Sequence, residues 1–168
     1  AVCLYAWQKA AVDDLHAKLA VDGVAGLAAP PGAGKTLMCA EVAKRYDATL
    51  VLLHTKSKHA DWSRGFAAVN TDGPPPVLNG TSDARLDVAC DALRAGFRGV
   101  VTSTYRGRSG PDSLDALAAR ASLAGTLLVV DECDLVFHHM GILDRMRRLV
   151  DKGLHVVVAT GTWEEKQG

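Results

Sequence analysis

Gly26-Leu27-Ala28-Ala29-Pro30-Pro31-Gly32-Ala33-Gly34-Lys35-Thr36 leaves an apolar run, passes through a glycine-bearing loop and opens a segment with helical spacing. Strand, loop and helix in that order form the context a phosphate-binding loop requires. Gly32 and Gly34 let backbone N–H groups turn inward around phosphate oxygens, and the N-terminus of the following helix adds the positive end of its dipole. In such a loop Pro31, Gly32, Ala33 and Gly34 form the cradle. Lys35 reaches the β and γ phosphates of a nucleotide, and the Thr36 hydroxyl ligates Mg2+. Ala29 stands where the motif usually begins with glycine. The Gly-Lys-Thr end carries most of the chemistry, so this departure costs little specificity.

Working outward, short β-branched runs alternate with segments of helical periodicity, which predicts an α/β fold with a mostly parallel central sheet and helices on both faces. Strands are expected at Gly26–Ala29, Thr49–His54, Val77–Leu78, Gly99–Thr104, Thr126–Asp131 and His155–Thr160. Most are continuously apolar, as strands covered on both faces are. Helices are expected at Trp7–Ala20, Lys35–Arg45, Lys56–Val69, Ser82–Ala95, Ser113–Leu123 and Ile142–Val150. Gly153 is placed to end the last of these, and the run Asn70 to Pro76 reads as an internal loop. No repeat or change of composition divides the chain, so a single domain over 1–168 is expected.

The run Leu127-Leu128-Val129-Val130 ends in Asp131-Glu132-Cys133-Asp134. Parallel sheets gather ligands at the carboxyl ends of their strands, so these carboxylates are expected beside the phosphate loop. Asp131 would hold Mg2+, through water, and Glu132 would orient or deprotonate the water that attacks the γ phosphate. The long interval between Lys35 and Asp131 leaves room for two strand–helix units.

At this point the chain resembles the first RecA-like domain of superfamily 2 helicases and translocases, the group that includes the DExD/H helicases. The resemblance covers nearly the whole length and implies a RecA-like P-loop NTPase domain. Leu4-Tyr5-Ala6-Trp7-Gln8 is similar to the family's N-terminal L-x-x-[YW]-Q element, which implies that Gln8 reads the adenine edge. Gly32 to Thr36 corresponds to motif I, and Asp131 to Asp134 to motif II. Val51 to Trp62 resembles motif Ia, with Thr55, Lys56 and Trp62 matching; His54, Lys58 and Asp61 depart from it. Val100 to Tyr105 resembles the later v-v-T-T-Y element. Val158 to Trp163 resembles motif III, with Thr160 and Thr162 matching and Gly161 and Trp163 departing. The resemblance implies ATP and Mg2+ as cofactors. It implies nucleic-acid contacts at Thr55, Lys56, Thr104 and Tyr105, and coupling roles for Asp134, Thr160 and Thr162. The implied partner is single- or double-stranded nucleic acid, with DNA ahead of RNA.

The family closes ATP between two RecA-like domains, the second supplying arginines worth about 10³ to 10⁵ in rate. Within 168 residues no second such domain is expected, so the chain alone is expected to hydrolyse ATP slowly, until a second RecA-like domain in the same or another chain completes it. Two other readings share motifs I and II: a stand-alone nucleotide-binding regulatory module, and a ring ATPase of the AAA+ or recombinase class. Trp7-Gln8 and the motif Ia match favour the helicase resemblance over the ring.

Composition narrows the setting. Lys and Arg number 19 against 19 Asp and Glu, so nucleic-acid binding has no global basic excess to rest on and falls to local patches at strand ends. Cys3, Cys39, Cys90 and Cys133 are widely spaced without a C-x-x-C pair, which reads as reduced thiols and a cytoplasmic setting. The longest apolar runs fall far short of the ~20 residues a membrane span needs.

Overall fold

The computed structural model describes residues 3–29, 34–53, 59–69, 91, 100–104, 119, 124–131 and 142–160. Helix α1 (Ala6–Asp22) buries Gln8, Val12, Leu15 and Leu19 on one stripe, three and four residues apart. It stops where Gly23 takes φ 72° and its N–H bonds to the Leu19 carbonyl. Strand β1 (Val24–Ala28) leads to the loop, and α2 (Lys35–Ala43) follows directly on Gly34. Then come β2 (Ala48–Leu53), α3 (His59–Val69), β3 (Val100–Thr104), β4 (Thr126–Val130), α4 (Ile142–Asp151) and β5 (His155–Thr160).

The five described strands lie in the order β1-β5-β4-β2-β3, and all four neighbouring pairs are parallel. The register aligns Ala25, Val157, Val129 and Val51 across four strands, giving a continuous apolar row. Against the core face of the sheet pack Leu15 and Leu19 of α1, Met38 and Val42 of α2, and Trp62 and Phe66 of α3. Burying side chains of this size contributes roughly 1.5–3 kcal/mol each. The fold is therefore α/β with a parallel sheet among the described strands, as the alternation of strands and helices predicts.

Every described strand starts and ends within two residues of its expected place, and β5 coincides with it. The strand expected at Val77–Leu78 lies outside the described residues. So do the helices at Ser82–Ala95 and Ser113–Leu123, apart from single helical positions at Asp91 and Ala119. β4 is buried at all five positions, which fits a strand covered on both faces. β1 is different: Ala25 and Leu27 are buried, while Val24, Gly26 and Ala28 are exposed. It forms an edge of the described sheet and only one of its faces is covered. Among the described residues no helix is long and apolar enough to cross a membrane.

Candidate functional site

Because the strands are parallel, their carboxyl ends share one edge. The exit of β1, Asp131 just past β4, Thr160 at the end of β5 and the backbone of Thr104 at the end of β3 all lie along it. β5 separates β1 from β4, so the exit of β1 and the acidic end of β4 stand about 10 Å apart, two strand spacings. A lysine side chain spans much of that gap. Lys35 Nζ donates a hydrogen bond of 2.6 Å to Asp131 Oδ1 across 96 residues of sequence.

Asp131 is 4 % exposed, and a carboxylate this deeply buried must be hydrogen-bonded and charge-compensated. Its other oxygen, Oδ2, accepts the Trp62 indole N–H at 3.1 Å. The two partners come from the first turn of α2 and from α3. Trp62 itself is buried, with Phe66 tilted against it at a centroid distance of 6.2 Å.

Thr36 sits one residue into α2 with its methyl turned toward α3. A Cβ added to Gly65 would collide with Thr36 Cγ2 and come within 3.2 Å of its Cβ, so the glycine is what allows α3 to rest on this side chain. One turn further along α2, Cys39 is completely buried. Burial, and then the nearby Asp131 charge, push its thiol up to about 12 against the opposing pull of Lys35. It stays protonated at neutral pH, as a buried core thiol does.

Gln8 is also brought to the loop. Its Oε1 accepts the Tyr5 backbone N–H at 2.8 Å, helping to cap α1, and its carboxamide nitrogen lies against Gly34. A Cβ on Gly34 would fall 2.6 Å from Gln8 Nε2. Tyr5 and Trp7 beside it are exposed. At the far side, Thr160 is buried, and its carbonyl accepts the Ala29 N–H at 3.1 Å, tying the start of the loop to β5.

The structure thus gathers Gln8, Gly34, Lys35, Thr36, Asp131 and Thr160 at one edge of the sheet. Pro31, Gly32, Ala33, Thr55, Lys56, Tyr105, Glu132, Asp134 and Thr162 lie outside the described residues. Sequence reasoning missed the place of Trp62. Its match to motif Ia gave it no site role, but its indole bonds the acidic strand end. The available signal was its spacing from Phe66: residues four apart on a helix face the same way, so Trp62 had to point into the core with it.

The donor set suits the group implied by the motifs. A hydroxyl and a carboxylate are hard oxygen ligands of the kind Mg2+ takes in ones and twos beside substrate phosphates. Gly34 adopts φ 83° at the N-terminus of α2, the backbone geometry that opens a helix end to an anion.

No protein-family model matches the sequence, and no curated protein matches it. Solved structures do match the fold. The Pyrococcus furiosus Hef helicase domain superposes with a TM-score of 0.64 at 22% identity, over 92% of this chain and 32% of that one. The fold is helicase-like. The Sulfolobus solfataricus SWI2/SNF2 ATPase core, solved in complex with dsDNA, superposes with a TM-score of 0.58 at 14% identity, over 95% of this chain and 32% of that one. The chain thus spans about a third of the length of either structure.

Proposed function

We propose that the chain is the ATP- and Mg2+-binding motor domain of a nucleic-acid helicase or translocase. The observation that carries this reading is the Lys35–Asp131 pair, which joins the phosphate-loop lysine to the acidic end of β4 at 2.6 Å. In this reading Pro31, Gly32, Ala33 and Gly34 present backbone groups to the phosphates, and Lys35 exchanges Asp131 for the β and γ phosphate oxygens. Thr36 and Asp131 hold Mg2+, which when bound neutralises charge on the transferred phosphoryl group. Glu132 orients the attacking water and accepts its proton. Gln8 borders the base.

Thr55, Lys56, Thr104 and Tyr105 are assigned to the nucleic-acid backbone, since local charge at strand ends is sufficient for phosphate contacts. Asp134, Thr160 and Thr162 link that track to the nucleotide. Support for DNA as partner comes from the dsDNA held by the SWI2/SNF2 neighbour. Arginines from a second RecA-like domain, in the same chain or a partner, complete the site for turnover.

Glu132→Gln tests the catalytic assignment. In the assembly completed by a second RecA-like domain, nucleotide affinity is expected to persist while nucleic-acid-stimulated phosphate release falls at least about a hundredfold, the scale of a lost general base. An undiminished rate removes Glu132 from that role.

A further inference from the structure

We propose that Trp62 is a positioning residue for the cation site: its indole N–H fixes the Asp131 carboxylate so that Oδ1 stays turned toward Lys35 and the incoming Mg2+–phosphate group. The inference rests on the nucleotide-binding reading above and deepens it. An aspartate side chain rotates broadly about its terminal torsion, so an unpinned carboxylate does not hold its plane, and hence its lone pairs, in one direction. Here the rotation is blocked from one side. Oδ2 is held by Trp62 Nε1 at 3.1 Å while Oδ1 meets Lys35 Nζ at 2.6 Å.

The indole has little freedom of its own. Trp62 is 2 % exposed, and its ring packs against Phe66, so the N–H vector is set by the core. A buried indole N–H needs an acceptor, and a backbone carbonyl would satisfy it; here the acceptor is, among the described residues, the one buried carboxylate at the loop edge. A second observation points the same way. One turn of α3 beyond Trp62, Gly65 lets the helix lie directly on the Thr36 methyl, which directs the hydroxyl away from α3 by the tetrahedral geometry at Cβ. One helix therefore braces both oxygen ligands of the proposed cation site, Asp131 by a hydrogen bond and Thr36 by contact.

Titration calorimetry on the full 168-residue chain tests this, with MgATP and with ATP in excess chelator as the two probes. The chains compared are the native one, Trp62→Phe, and one carrying 3-benzothienylalanine at position 62, which keeps the ring's shape and replaces the N–H by sulfur. The isostere decides the matter if the phenylalanine variant fails to fold. Losing a hydrogen bond to a charged group is expected to weaken MgATP binding about tenfold. Affinity for magnesium-free ATP, held by Lys35 and the loop, is expected to stay unchanged, while the thermal midpoint of the isostere falls because the buried Asp131 loses a hydrogen bond. Unaltered MgATP affinity in the isostere overturns the proposal. So does an equal loss with both probes, which marks a merely structural contact. A native chain that binds neither probe overturns the nucleotide reading itself, and the inference falls with it.

Discussion

Gly34 concentrates two constraints in one residue. Its φ of 83° lies in the left-handed region, and a Cβ would sit 2.6 Å from Gln8 Nε2. The backbone cost for an L-residue there is about 1–2 kcal/mol. The clash is with the far end of a flexible side chain, which can move aside at smaller cost. Gly34→Ala is therefore expected to lower unfolding stability by about 1–2 kcal/mol in urea titration and to displace the Gln8 carboxamide. Repeating the substitution in a Gln8→Ala background separates the two effects: most of the loss is expected to remain, because the backbone angle is its main source. Complete recovery in that background would show that crowding by Gln8 dominates.

Gly34 was legible at this scale, since the G-K-T pattern asks for a residue that can open the helix N-terminus. The Trp62–Asp131 bond was not, because nothing in the spacing of residues 62 and 131 says that α3 crosses the end of β4. Such contacts depend on tertiary packing. Only the direction of the side chain, inward with Phe66, could be read beforehand.

Among the elements, α3 does the most to shape the site. A glycine inside a helix costs about 1 kcal/mol relative to alanine, so helix propensity alone would make Gly65→Ala stabilising. Packing opposes it, since the added Cβ would run into Thr36, and overpacking a close contact costs about 1–3 kcal/mol. A net destabilisation is expected in chemical denaturation, together with weaker MgATP binding as Thr36 shifts. A gain in stability would show that α3 can withdraw freely from α2.

Strand positions were well read from the apolar runs, and helix ends less well. α1 extends to Asp22 because Gly23 supplies the left-handed cap there, not earlier. α2 closes at Ala43, two residues short of the expected Arg45. The N–H groups of Lys44, Arg45 and Tyr46 bond three residues back, to Glu41, Val42 and Ala43, tightening the last turn into 3-10 form. Nothing in the composition of this stretch announces that tightening.

At the scale of the whole molecule, the all-parallel order β1-β5-β4-β2-β3 brings residues far apart in sequence to one edge. The alternating pattern predicted parallel strands, but their order in the sheet depends on crossovers that periodicity does not encode. Stability of the whole also carries a pH signature from His16 on α1. Burial, and then the neighbouring Arg45 guanidinium, lower its pKa below 6.5, partly offset by Asp13 and Glu41. Protonation is thus harder in the folded chain than in the unfolded one. The stability this contributes is fully present above pH 6.5 and is lost as the pH falls from 6.5 through the lowered folded value. His16→Gln is expected to flatten that part of the stability profile measured by urea titration at successive pH values. An unchanged slope would place the acid sensitivity elsewhere.

The central claim is that the edge where Lys35 meets Asp131 binds a nucleotide. Calorimetric titration of MgATP into the native chain and into Lys35→Ala tests it most directly. The expected result is saturable one-to-one binding by the native chain and none by the variant. Equal affinity in the two, or no binding by the native chain, would contradict it.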